Sequence, residues 1–496
     1  MSILHKFFKH KPEKRDDIPS IANLIAQARS FCESGQLDQA QEQCQNAFKL
    51  QPGNIEILTL AFQLALRRRT FAEIKTWLRV GIDRFPDSAE IHFMLGFLHN
   101  EESQFNDALV LLQKATQLDP DMAKAHNSLG AALQMLGRLE EALQSFQRAL
   151  MLDPELWRAS YNIANMHKLH GRFEDAVEPF QRAMKIRRGA DAVNSGVDIE
   201  DFRATRSKLT HDMEQYSYLV EHGILGERGE HAIAALGRIS ELMGSDVERQ
   251  LVEIPPSIKP MVAPYFNRLT NFYSAPALPS GALNQDQDWA AIERAYFGNA
   301  PGMTFVDNFL KPEALASLRR FCLESTIWFD FLYGGGYVGC SCEDGFICPL
   351  LAQIAEEQRL ALPSIFGPHR IKGLWGYKYD SQQTGISTHA DFAAINVNFW
   401  ITPDEANLDP GSGGLVIWDK EAPLDWNFDD YNSNVSLIAE FLRSSGAKQY
   451  VIPYKQNRVA LFNSDLFHKT DNYRFKNSYE SRRINVTMLY GDRHSA

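Results

Sequence analysis

The sequence predicts a multidomain α + β chain. Its N-terminal part reads as an all-α superhelix of stacked helix pairs, and its C-terminal part as an antiparallel β sandwich or barrel with flanking helices. Three observations predict this. Early segments repeat at an offset of 34 residues, short strand-like runs separated by turn residues dominate after Ala300, and a length of 496 residues exceeds what one core serves. With 44% hydrophobic and 23% charged residues, the composition is that of a globular chain.

The first element is a basic start, "MSILHKFFKHKPEKRDD", whose apolar stretch is too short and interrupted for a signal peptide. Residues 1–20 are expected as a disordered basic tail. Next, "AEIHFMLGFLHNEESQFNDALVLLQKATQLDPD" from Ala89 aligns with "AKAHNSLGAALQMLGRLEEALQSFQRALMLDPE" from Ala123. Leu95-Gly96 matches Leu129-Gly130, Ala108 matches Ala142, Leu112 matches Phe146, Ala115 matches Ala149, and Pro120 matches Pro154. Gly35, Ala40, Ala47 and Pro52 extend the grid upstream, and Gly171, Ala176, Phe180 and Ala183 extend it downstream. Small residues let paired helices approach, and prolines stop the second helix of each pair. One pair cannot bury its own apolar face, so neighbours must stack. The pattern resembles the tetratricopeptide repeat, and residues 21–190 are expected as five such repeats. The resemblance implies a concave groove for a peptide or protein; a scaffold or dimerisation surface is the other reading.

Residues 191–290 are expected as a helical and proline-rich linker. "GADAVNSGVDIED" reads as a loop, and Leu209, Met213, Tyr216 and Leu219 form a helix-spaced stripe. On that helix His211, Asp212 and Glu214 read as a solvated or packing face rather than as ligands. Pro255, Pro256, Pro260, Pro264, Pro276 and Pro279 mark an extended connector. In residues 291–496, "GMTFVDNFLKPEALASLRRFCLEST" reads as a strand and then a helix with Pro312 in its first turn. Short strands follow: "RIKGLWGYKY", "AINVNFWIT", "GGLVIW", "YVIPY", "NRVALFN" and "RINVTMLYG".

The net charge of −11 argues against a dedicated nucleic-acid or anionic-membrane surface. No apolar run reaches the roughly 18 residues of a membrane span. Six cysteines in so long a chain do not make a disulfide framework, which fits a reducing cytoplasm. Cys340, Cys342 and Cys348 lack the fourth ligand and clean spacing of a zinc site and read as small buried or free thiols.

"STHADFAAINVNFWIT", from Ser387 to Thr402, reads mostly as a strand. Val397, Phe399 and Ile401 alternate there with Asn396, Asn398 and Trp400. His389 and Asp391, two apart, share a face if the chain is extended. A second histidine, His468, follows the strand "NRVALFN" and a bend at Asn463-Ser464. If the sheet folds back, the three meet. Two imidazoles and a carboxylate form a facial triad that leaves positions open on Fe(II). A chelating dicarboxylate co-substrate needs a fixed cation for its far end. Arg483, fifteen residues after His468, supplies a planar fork that keeps its charge. Period 2 puts Arg483, Asn485 and Thr487 on one face, so Arg482 points the other way and is expected as a surface charge. "WDKEAPLDWNFDDYN" sets Trp418, Trp426, Phe428 and Tyr431 among acids, as a lid over the mouth or as a packed surface loop.

From Gly302 to Gly491 the chain resembles 2-oxoglutarate- and Fe(II)-dependent prolyl hydroxylases. "YDSQQTGISTHAD" is similar to their tyrosine followed by T-G-x-x-x-H-x-D. "GSGGLVIW" resembles their G-G-x-L strand, "VALFNSDLFH" their approach to the distal histidine, "RINVTMLY" their arginine strand, and "TFVDNFLKPEALASL" their opening segment. The resemblance implies a double-stranded β-helix (jelly-roll). His389, Asp391 and His468 would be catalytic iron ligands, and Arg483, Tyr379, Asn485 and Asn398 would line the 2-oxoglutarate pocket. It implies Fe(II), 2-oxoglutarate and O2, with ascorbate as an accompanying reductant, and hydroxylation coupled to release of succinate and carbon dioxide. The loop "KTDNYRFKNSYESR" is longer than in those enzymes, and "NVSLIAEFLRSSGA" is a helical insertion. The fusion points to a hydroxylase of a peptide or protein presented by the repeats, with no nucleic-acid or membrane partner and the oligomeric state open. A small-molecule hydroxylase tethered by its repeats and a non-catalytic interaction scaffold are the alternatives.

Overall fold

The computed structural model describes residues 20–189, 202–243, 251–332, 336–381 and 385–493. The expected tail up to Pro19 and the loop from Ala190 to Asp201 lie outside them. The chain forms two compact units, one up to Pro154 and one from Glu155. Among the described residues, no helix is long and apolar enough to cross a membrane.

The first unit is four helix pairs: α1 (Ile21–Glu33) with α2 (Leu37–Leu50), α3 (Ile55–Arg68) with α4 (Ala72–Arg84), α5 (Ala89–Glu101) with α6 (Phe105–Leu118), and α7 (Ala123–Met135) with α8 (Leu139–Leu152). Ser20, Asn54 and Ser88 cap α1, α3 and α5 by accepting from backbone N–H groups of the first turn. The second helix of each pair stops two residues before Pro52, Pro86, Pro120 or Pro154. Close approach explains the repeated small residues. A Cβ on Gly96 would stand 2.7 Å from Leu112, and one on Gly130 would stand 2.6 Å from Phe146. Ala108, Ala115, Ala142 and Ala149 are buried without residual exposure.

In the second unit, α9 (Trp157–Leu169) and α10 (Phe173–Arg188) form the fifth pair. They are built into the same core as the sheets that follow. Phe180 and Met184 join the cluster holding Phe346 and Cys348, Arg187 pairs with Asp344 at 3.0 Å, and Lys168 pairs with Glu343. A short hairpin of β1 (Arg203–Ala204) and β2 (Val252–Glu253) brackets α11 (Arg206–Glu221) and α12 (Glu227–Leu242). The proline-rich stretch that follows holds the single turn α13 (Lys259–Val262) and leads to α14 (Trp289–Gly298). It is packed chain, with Ile254, Phe266, Ala275 and Leu283 all buried in that same core.

The remaining elements are β3 (Met303–Val306), α15 (Pro312–Glu324), β4 (Tyr337–Ser341), α16 (Pro349–Ala361), α17 (Pro363–Phe366), β5 (Ile371–Tyr379), β6 (Ile395–Trp400), β7 (Leu415–Glu421), α18 (Phe428–Asn432), α19 (Val435–Ser444), β8 (Gln449–Ile452), β9 (Val459–Asn463), β10 (Leu466–Thr470) and β11 (Ile484–Tyr490). They build two antiparallel sheets, ordered β3-β9-β6-β11-β5-β4 and β10-β7-β8. Period 2 decides what each face meets. Val397, Phe399, Ile484, Val486 and Met488 turn towards the helices. Trp400, Ala460 and Phe462 turn towards Leu415, Ile417 and Leu466 of the smaller sheet.

Two expectations need correction. The strand expected from Ser387 begins only at Ile395, because residues Phe392 to Ala394 bend and the Asp391 N–H bonds the Ser464 carbonyl at 3.1 Å. Arg482 is no surface charge. It is buried between Glu214, at 2.6 Å, and Asp380. Of the two readings of the α11 face carrying His211 and Asp212, solvated or packing, the packing one holds: both are buried, and Lys208 Nζ lies 2.7 Å from an Asp212 oxygen and also donates to the Trp328 carbonyl. Cys340, Cys342 and Cys348 are free, buried core thiols, and burial pushes Cys348 up to about 12.

Candidate metal centre

His389 and His468 meet through the backbone first. His389 N–H donates to the His468 carbonyl at 3.0 Å and His468 N–H to the His389 carbonyl at 2.8 Å, an isolated antiparallel bridge joining the segment before β6 to β10. That bridge, rather than a continuous strand, sets the rings 4.3 Å apart. Asp391 follows two residues on, with its oxygens 3.7 Å from His389 Nε2 and 3.5 Å from His468 Nε2. The three candidate ligand atoms lie within 4.8 Å of one another.

The donor set fits a divalent ion. Nδ1 of His389 lies 2.8 Å from the Ser387 carbonyl, and Nδ1 of His468 lies 3.0 Å from the Leu466 carbonyl. A carbonyl only accepts, so each Nδ1 carries the proton and each Nε2 keeps a lone pair for the shared space. Ligands about 2.1 Å from an ion and at right angles stand roughly 3 Å apart, somewhat closer than the 3.5 and 3.7 Å that separate the Asp391 oxygens from the two Nε2 atoms. Burial pushes the Asp391 carboxyl up, opposed by His389 and by the Asn396 amide, which donates to it at 2.6 Å. Burial drives His468 well below the ordinary imidazole value, with His389 acting in the same direction, so it stays neutral and able to ligate.

Behind this group, Tyr379, Asn398, Arg483 and Asn485 line the same cavity, of about 110 Å³, as His389, Asp391 and His468. Arg483 is 1% exposed, and its guanidinium carbon sits 4.7 Å from the centre of the Tyr379 ring. Its Nε donates to the Gly413 carbonyl at 2.6 Å and its Nη2 to the Gly414 carbonyl at 3.3 Å. The tight turn needs both glycines. Gly413 has φ +85°, and a Cβ on Gly414 would stand 1.9 Å from the Ile452 carbonyl oxygen. Arg483 Nη1 is buried without a partner, and the partners of its Nε and Nη2 are carbonyls rather than carboxylates. A buried charge left in that state is unfavourable until an anion meets it.

Asn485 Nδ2 donates to Asn398 Oδ1 at 2.8 Å and to Thr487 Oγ1 at 2.9 Å. Asn398 in turn donates to Asn396, which holds Asp391. Asn396 lies outside the sequence-derived set, although its period-2 relation to Asn398 carried the signal. Trp375, Tyr377, Phe392 and Thr470 also line the cavity, and no motif marked them. Of the four proposed lid aromatics only Phe428 reaches it, with Asn432. Trp418 and Tyr431 are buried with Ile438 and Phe467 instead, and Trp426 packs on Phe441 at 5.4 Å. Helix α19 supplies Ile438 and Phe441, so the insertion draws these rings away from the mouth.

Tetratricopeptide repeat family models match this chain over residues 98–137, 123–156 and 159–190. No curated protein matches it. Among solved structures, one of MamA is 19% identical, covering 36% of this chain and 97% of that one, with a TM-score of 0.30. One of YrrB, described as a TPR protein with an unusual peptide-binding site, is 22% identical over 35% of this chain and 89% of that one, with a TM-score of 0.29. The helix pairs and the family matches together establish that this chain carries tetratricopeptide repeats.

Proposed function

We propose that the unit from Glu155 is an Fe(II)- and 2-oxoglutarate-dependent oxygenase, hydroxylating a segment of a protein that the repeats recruit. The observation that carries this reading is the convergence of His389, Asp391 and His468 in one cavity with a buried arginine that no acid among the described residues neutralises. Both Nε2 atoms and the Asp391 carboxylate would hold the ion, and Asn396 would keep that carboxylate turned towards it. Arg483, steadied by the Gly413 and Gly414 carbonyls and the Tyr379 face, would receive the far carboxylate of the keto acid. Bound together, Fe(II) and 2-oxoglutarate supply the oxidising chemistry that installs a hydroxyl from O2, with ascorbate as a reductant. Trp375, Phe392 and Phe428 give the mouth an apolar rim that would hold an organic side chain and thin the water around it. The two facing antiparallel sheets support a jelly-roll reading of the barrel.

The test is anaerobic addition of Fe(II) and then 2-oxoglutarate, watching for the visible absorption band of a keto-acid chelate. The band is expected in the wild-type protein and absent from His468→Ala. A second reading is favoured by the family matches, since tetratricopeptide repeats mark the chain as a protein-interaction scaffold. No iron uptake and no 2-oxoglutarate binding would leave that role alone. Succinate release driven by a metabolite pool without any protein substrate would favour a tethered small-molecule hydroxylase.

A further inference from the structure

Three asparagines form one hydrogen-bonded row across the neighbouring strands β6 and β11. Asn396 Nδ2 donates to Asp391 Oδ2 at 2.6 Å, Asn398 Nδ2 donates to Asn396 Oδ1, and Asn485 Nδ2 donates to Asn398 Oδ1 at 2.8 Å. Thr487, opposite Asn398 in the ladder, donates its hydroxyl to the same Asn398 oxygen at 2.9 Å and accepts from Asn485 Nδ2 at 2.9 Å. All three amides are buried. The carboxylate fixes the polarity of the row. Once ionised it only accepts, so Asn396 must turn nitrogen towards it and oxygen towards Asn398, and each later amide is fixed in turn.

Asn485 lines the cavity, yet its amide nitrogen is committed to Asn398 and Thr487, and its Oδ1 is buried without a partner. A keto acid at neutral pH offers only acceptors, so Asn485 has no free hydrogen to give it. The donors of the row point towards Asp391 instead. Hydrogen bonds in a chain polarise one another, so the far end strengthens the hold on that carboxylate. We infer that Asn398, backed by Asn485 and Thr487, is a positioning residue for Asp391: acting through Asn396, it pins Oδ2 and leaves Oδ1 for the ion. This rests on the metal half of the proposed function and deepens it.

The experiment is calorimetric titration of the full-length protein with Mn(II) alone, then of the Mn(II)-saturated protein with 2-oxoglutarate. Asn398→Leu should weaken Mn(II) by roughly tenfold, the lower end of losses beyond the ligand shell, and leave 2-oxoglutarate unmoved. Adding it to Asn396→Leu should cost nothing further, because the link to Asp391 is already cut; a residue that merely packed the sheet would add its own loss. Thr487→Val keeps the shape and removes one hydroxyl, so it folds even where a leucine does not fit. It should weaken Mn(II) by roughly threefold, the scale of one neutral hydrogen bond. Unchanged Mn(II) affinity in both single variants, losses that add in the double variant, or a loss confined to 2-oxoglutarate would overturn the assignment. Failure of the wild-type protein to bind Mn(II) would remove the proposed function and this inference together. Binding of Mn(II) without 2-oxoglutarate would remove the co-substrate alone, and the Mn(II) comparison would still decide the role of Asn398.

Discussion

Asp391 is buried, and without a cation beside it its own charge is unfavourable. Its folded carboxyl is held above 3.8, first by burial. Stability from such a group is complete below about 3.8 and is lost as pH rises through the folded value. Asp391→Asn removes that loss. The metal-free variant should melt higher than the metal-free wild type at neutral pH, with the gap closing on acidification. Mn(II) should reverse the order, stabilising only the wild type. Calorimetry at several pH values with and without Mn(II) checks this. A wild type that stays the more stable of the two without metal at neutral pH would contradict the burial argument. His468 titrates in the opposite sense. Its folded value lies well below 6.5, so the unfolded chain takes up a proton first and stability falls as pH drops below about 6.5. His468→Ala removes one of the three proposed ligands and should lower Mn(II) affinity by at least about a hundredfold, the upper range seen even for outer-shell losses. The backbone bridge to His389 survives the change, so circular dichroism should be unaltered.

At the scale of elements, the repeat period reaches down to single dihedral angles. Positions 35, 69, 103, 137 and 171 fall 34 apart, and all adopt positive φ: Gly35 75°, Arg69 53°, Ser103 59°, Gly137 76° and Gly171 71°. These are the turns between paired helices, where glycine meets no Cβ penalty. Ser103→Gly should therefore stabilise the first unit by roughly 0.5–1 kcal/mol, read as a shift of its urea midpoint. Strands were legible for a related reason. The period-2 alternation of β6 and β11 placed Asn398, Arg483, Asn485 and Thr487 on one face and Val397, Phe399, Val486 and Met488 on the other, as found. What stayed illegible depended on distant partners. Arg482 looked solvent-facing because nothing local reveals Glu214 of α11, and Trp418 and Tyr431 looked like a lid because α19, which buries them, docks only in three dimensions.

At the scale of the whole molecule, sequence period and physical unit part company. The repeat grid ends near Arg188, so the natural cut from sequence lies at residue 190, yet α9 and α10 belong to the compact unit that begins at Glu155. Periodicity reports how helices are built, not which core their outer faces complete. Here Phe173, Val177, Phe180, Ala183 and Met184 are buried, most of them in the cluster that also holds Phe346 and the helix-facing side of β6 and β11. Each large side chain of this kind contributes about 1.5–3 kcal/mol on burial. Losing several approaches the 5–15 kcal/mol that holds a typical domain together. Lys168 also offsets the burial of Glu343 and keeps that carboxyl below its ordinary range, so removing α9 strands an acid in the interior. A chain spanning residues 155–496 should be soluble and melt cooperatively, whereas one spanning 190–496 should aggregate or lose its near-ultraviolet circular dichroism. Equal cooperativity in the two would mean that the fifth helix pair is only appended to this core. Loss in the shorter chain alone would mean that the last repeat is part of the scaffold carrying the site.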